Sequence, residues 1–233
     1  MADIVDLQRE KSLALAVLND GTTNLFSAAM IAQLGAMLDA IEHDESIKTL
    51  VLTGREGCFA TGFGLPALAG NPVAAKELLN ASAQLALRLY EFPKPLLIAC
   101  SGHALGMGAV LLLTADWRTG AEGAFRIGLE AVQAGITIPQ FSAELARDRL
   151  SPCYFSRAII NAEVFAPSLA VDAGYLDEVV DDLSVLDFAC AQAERLAACN
   201  PRIFAATKRR SRAATIKLIR DNLAADLAGL TGV

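Results

Sequence analysis

Histidine is scarce in this chain. Only His43 and His103 occur in 233 residues, and the five cysteines, Cys58, Cys100, Cys153, Cys190 and Cys199, form no C-x-x-C pair. A metal site of ordinary zinc-ligand spacing is therefore not expected. The chain also lacks G-x-x-x-x-G-K-[ST], and Gly102, Gly106 and Gly108 do not fit G-x-G-x-x-G, so the sequence shows no nucleotide phosphate cradle. There is no secretory apolar segment and no apolar run of 18 residues, from which a soluble, cytoplasmic protein is expected. Cations are outnumbered: 20 Lys and Arg against 26 Asp and Glu leave a formal charge of −6, which argues against nucleic acid as the main partner.

What is present is hydrophobic mass. At 54% apolar residues the composition exceeds ordinary usage, which implies apolar surface buried between subunits as well as within one. The length suits one sizeable core with an appendage. Ser12 to Leu18 reads as a strand followed by an Asn19-Asp20-Gly21 turn, and Ser27 to Glu42 carries a helical apolar stripe with Ser27 as its N-cap. Thr49 to Thr53 is a buried-strand pattern and Pro72 to Tyr90 repeats the helical period, so strands and helices alternate. Beyond Pro139 the pattern becomes helix after helix: Gln140 to Leu150, Ser151 to Asn161, Pro167 to Ala173, Ser184 to Cys199 and Pro201 to about Leu230. Only Gly174 and a strand-like Tyr175 to Val180 interrupt them.

The stretch from Lys94 to Pro139 organises the rest. An apolar strand, Leu96 to Cys100, runs into the small-residue turn Ser101 to Gly108 and then into an apolar helix from about Ala109 to Thr114. Glycines let backbone come close to a ligand, and the first N–H groups of a helix point outward with the positive end of its dipole. A second turn of this kind, Cys58 to Leu65, follows the Thr49 to Thr53 strand. Two such turns can offer one N–H each to a single oxygen, an arrangement in which each donor is worth about 10²–10³ in rate. Cys58 and Cys100 adjoin the turns and read as small buried fillers.

The run FATGFGL, then KPLLIACSGHALGMGAVLLLTADWR, then FRIGLEAVQAGITIP resembles, in order and spacing, the three motifs of the enoyl-CoA hydratase/isomerase (crotonase) superfamily. The resemblance implies an α/β fold, a crotonase-like spiral of ββα repeats with a C-terminal helical region. Residues 1–139 would form the core that carries the acyl-CoA site, and residues 140–233 a helical trimerisation region. It implies a CoA thioester as substrate, no cofactor, and a homotrimer or dimer of trimers. By position, the backbone N–H groups of Phe63 and Met107 hold the thioester oxygen. Thr61, Gly62 and Leu65 at the first turn, His103, Leu105 and Gly106 at the second, and Val110 and Ala131 beyond them, are the substrate-contacting positions.

Val110 and Ala131 are also where this chain departs from the motifs, because hydratases of the superfamily carry glutamates at those two positions. Glu130 stands one residue before the second. A one-residue offset turns a side chain by about 100° on a helix, or to the opposite face of a strand, so Glu130 serves as the base only where the backbone is re-aimed. Losing the first glutamate is the pattern of the superfamily's isomerases, so a double-bond shift is expected over hydration. A non-catalytic acyl-CoA-binding member, or thioester hydrolysis or decarboxylation at the same oxygen cradle, are the alternatives. Gly64 and Pro66 replace an aspartate and a basic residue of the first motif. Lys208, Arg209, Arg210 and Arg212 are then the candidate partners of the CoA phosphates, against a solvated basic helix face.

Overall fold

The computed structural model describes residues 3–64 and 71–229. Its main sheet has six strands in the order β1 (Val5–Glu10), β2 (Leu13–Leu18), β3 (Thr49–Thr53), β5 (Leu96–Cys100), β7 (Trp117–Ala121) and β9 (Glu178–Val180). β1 is antiparallel to β2 and every other pair is parallel. A second, three-stranded parallel sheet joins β4 (Gly57–Ala60), β6 (Gly102–Leu105) and β8 (Ile127–Gly128). Parallel neighbours require crossovers, supplied here by α1 (Ala28–Glu42), α2 (Pro72–Glu91) and α3 (Met107–Thr114).

Period-two alternation assigns the faces of the main sheet. Leu96, Ile98 and Cys100 enter the large core with Leu50 and Leu52, whereas Leu97, Ala99 and Val51 point the other way. That second face is covered by Val185, Ala189 and Ala193 of α7 (Val185–Ala197). Buried on both sides, β3 and β5 therefore read as unbroken apolar runs rather than alternating ones. Caps define where the helices begin: the Ser27 hydroxyl accepts from Met30 N–H, and the Asn71 side chain accepts from Val73 and Ala74.

The C-terminal helices are α4 (Gln140–Arg149), α5 (Pro152–Ile159), α6 (Pro167–Ala173), α7 and α8 (Pro201–Gly229). They share the main core, since Phe141 and Leu145 of α4 and Ile216, Ile219 and Leu223 of α8 bury there with the strands. The strand-like stretch from Tyr175 shortens to β9, because the N–H groups of Tyr175 and Leu176 donate to the Ala170 carbonyl of α6 at 2.9 and 3.2 Å rather than to a neighbouring strand.

α8 corrects one expectation. Lys208 and Arg212 lie in the interior, where Lys208 Nζ is 2.6 Å and Arg212 Nη2 2.9 Å from the Asp116 carboxylate. Arg212 also donates to the carbonyls of Tyr90 at 2.7 Å and Thr114 at 3.1 Å. Those two cations tie α8 to the ends of α2 and α3 and are neither a solvated face nor free for a phosphate; Arg209 and Arg210 remain exposed. Cys58 and Cys100 are buried free thiols, and burial pushes Cys100 up to about 12.

Candidate active site

Parallel pairing of β4 with β6 makes both strands end at the same edge, with Gly57 opposite Gly102 and Ala60 opposite Ala104. The two glycine turns consequently meet. Gly106 has φ +53°, and a Cβ there would lie 2.9 Å from the Gly62 Cα; one on Gly108 would lie 2.0 Å from the Ala60 carbonyl oxygen. A methyl group at Gly108 must therefore push one backbone off another. Gly108→Ala is expected to cost about 1–3 kcal/mol, as overpacked sites do, and to show as a lower urea midpoint with an unchanged slope.

Peptide geometry aims the free donors. The C=O of Gly62 accepts from Phe26 N–H at 3.2 Å, and because C=O and the next N–H are trans, the N–H of Phe63 points the opposite way. The C=O of Gly106 accepts from Val110 N–H at 3.1 Å as the first helical bond, which turns Met107 N–H out of the N-terminus of α3. Among the described residues neither N–H has an acceptor. The upstream loop is held by buried Asn24, whose side-chain amide donates to the carbonyls of Leu18 and Phe59, each at 2.9 Å. Phe26 meets Phe63 edge to face, ring centroids 6.1 Å apart.

Both turns open on a cavity of about 310 Å³. Thr61, Gly62 and Phe63 form one wall, and Leu105, Gly106, Met107 and Val110 another. The hydroxyl of Thr61 is engaged with the Thr23 carbonyl at 3.0 Å. Leu65 lies outside the described residues. His103 does not line the cavity: its Nδ1 accepts from Arg126 N–H at 3.0 Å and its ring meets Phe125 edge to face, so it braces the segment before β8.

The segment after β8 is neither helix nor strand. Ala134 N–H donates to the Glu130 carbonyl at 3.0 Å and Ile136 N–H to that of Ala131 at 2.9 Å, closing a compact turn. Because the chain turns here, Glu130 and Ala131 both border the cavity. One oxygen of Glu130, Oε1, accepts from Arg126 at 2.6 Å, and this ion pair is partly exposed. Sequence reading did not single out Leu25, Leu79, Leu129, Ile138, Phe141 and Ser142, which also line the wall, as do Ala134, Ile136 and Pro139. Leu129 and Ile138 lie within the third motif, whereas Leu25, Leu79, Phe141 and Ser142 lie outside all three, and nothing local in the sequence shows that they meet at one cavity.

Two unpaired backbone donors and one carboxylate on an otherwise apolar cavity define a small-molecule site suited to an apolar ligand with an oxygen at one end. Residues 8–229 match the enoyl-CoA hydratase/isomerase family model. A crystal structure of an enoyl-CoA hydratase/isomerase family protein from Pseudomonas syringae superposes with a TM-score of 0.94 at 35% identity, over 97% of each chain. An enoyl-CoA isomerase of Mycobacterium tuberculosis superposes with a TM-score of 0.91 at 36% identity, over 97% of this chain and 100% of that one. The 2,3-dehydroadipyl-CoA hydratase of Escherichia coli is 29% identical over 89% of this chain and 81% of its own. The chain belongs to the enoyl-CoA hydratase/isomerase family, and its fold is the crotonase fold. Among the described residues no helix is long and apolar enough to cross a membrane.

Proposed function

We propose that the cavity binds an acyl-CoA thioester with its carbonyl oxygen between the N–H groups of Phe63 and Met107, and that the reaction is a double-bond shift rather than hydration. The observation that carries this reading is the wall itself. Val110 and Ala131 are aliphatic, and Glu130 is the one ionisable side chain of the cavity among the described residues. In such a shift Glu130 takes a proton from one carbon of the acyl chain and returns it two carbons away. The negative charge formed between the two transfers spreads onto the thioester oxygen, where the paired N–H groups stabilise it in a water-poor site. Water addition instead needs one group to activate the water and another to protonate the α-carbon, and each is worth typically about 10²–10⁴ in rate.

The test is a pair of rates: crotonyl-CoA hydration against conversion of a 3-enoyl-CoA to its 2-enoyl isomer. Hydration is expected to be at least about 10²-fold the slower. Efficient hydration would show that the acid–base pair lies elsewhere. A second reading, acyl-CoA binding without turnover, is favoured by the existing bond between Glu130 and Arg126. It predicts thermal stabilisation by acyl-CoA, about 2.7 kcal/mol at 100 times the dissociation constant, with neither reaction. Assembly into a closed trimer belongs to the same proposal, supported by exposed Ile160 just past α5, Phe188 on α7 and Ile203 on α8, which assembly would cover.

A further inference from the structure

We infer that the cavity takes an acyl group whose tail is uncharged and turns away one of equal length that ends in a carboxylate; this rests on the acyl-CoA reading above. Among the described residues the wall contains no lysine, arginine or histidine, and its single ionisable side chain, Glu130, is itself an anion. Away from the free N–H groups the surface is hydrocarbon, from Leu79, Val110, Ile138 and Phe141, with Ser142 as its neutral polar member. The cation beside Glu130 is Arg126, which is not part of the wall, bonds Glu130 at 2.6 Å, and has a side chain 55% exposed to solvent.

A terminal carboxylate placed in this cavity loses its water and gains no counter-ion. It enters by taking up a proton, since burying the bare charge costs far more. An ordinary carboxyl group titrates near 4.3, so neutralising it at pH 7 costs about 2.7 pH units, equivalent to about a 500-fold loss of affinity. At pH 5.5 the same step costs about 1.2 units, or about 15-fold. The CoA phosphates are common to both kinds of ligand and cancel in the ratio. Glu130 is the one titratable group of the wall among the described residues, and in the acyl-CoA reading it stands beside the reacting carbons of either ligand rather than at the tail.

Calorimetric titration of the whole protein with octanoyl-CoA and with the eight-carbon dicarboxylic analogue, suberyl-CoA, at pH 7 and pH 5.5 decides the matter. The expected ratio of dissociation constants is on the order of 10²–10³ at pH 7, falling more than tenfold at pH 5.5. Affinities within about fivefold of each other at pH 7 would overturn the inference, because the tail then finds a cation or solvent. A large ratio that does not change with pH would also overturn it, since exclusion by shape is indifferent to protonation. If neither thioester binds, the acyl-CoA reading fails and this one falls with it, an outcome distinct from binding without discrimination.

Discussion

Changing Glu130 to Gln is expected to lower the double-bond shift by about 10²–10⁴-fold while leaving acyl-CoA affinity nearly unchanged. Glutamine keeps the length of the side chain and an oxygen for Arg126 to donate to, so the 2.6 Å contact that holds this turn survives in kind. What disappears is the capacity to accept and return a proton. The effect therefore belongs in kcat rather than in KM, and steady-state kinetics with a 3-enoyl-CoA separates the two. Full turnover by the variant would remove Glu130 as the base. A loss confined to KM would mark it as a binding group only.

Asp116→Asn addresses stability, with an expected loss of about 3–5 kcal/mol in urea unfolding, the range for breaking a buried ion pair from one side. Asp116 is shared three ways: by Lys208, by Arg212, and by the Leu96 N–H at 2.8 Å. Side-chain exposures of 4% for Lys208 and 7% for Arg212 leave water little access to the abandoned cations. Burial already depresses the Lys208 ammonium from 10.5 to about 8, opposed by the Asp116 charge and assisted by that of Arg212.

Between pH 8 and 10.5 the unfolded chain thus holds the lysine proton more tightly than the folded one, and the stability due to this group rises with pH in that window. Above about pH 10 buried Tyr90, whose phenol burial and the neighbouring Asp148 hold above its ordinary range, acts in the opposite sense. Because folded Lys208 can shed its proton, the Asp116→Asn penalty is expected to be smaller at pH 9 than at pH 7. A loss below about 1 kcal/mol at both would mean that the network relaxes around the missing charge.

Much of the framework around the cavity was legible in the sequence. Strand, glycine turn and apolar helix are local features, dictated by neighbours a few residues apart, so the β3 and β5 strands and the start of α1 lie within a residue or so of where the pattern puts them. The absence of carboxylates at Val110 and Ala131 is likewise a fact of the sequence. Three things were not legible because they depend on contacts between distant segments. The close approach of Gly62 and Gly106 follows from the parallel pairing of β4 with β6, and strand pairing leaves no mark on either strand alone.

The position of Glu130 on the cavity depends on the chain turning between Leu129 and Ile136, where neither helical nor strand periodicity applies. The burial of Lys208 and Arg212 runs against the usual rule for cations. It is permitted only because Asp116, 92 and 96 residues earlier in the chain, meets them in the interior. The sequence by itself determined where the β3 and β5 strands and the first helix form, and that Val110 and Ala131 carry no carboxylate. The tertiary structure decided which donors, carboxylate and cations share a space, because charge pairing and backbone aim are properties of segments brought together by folding.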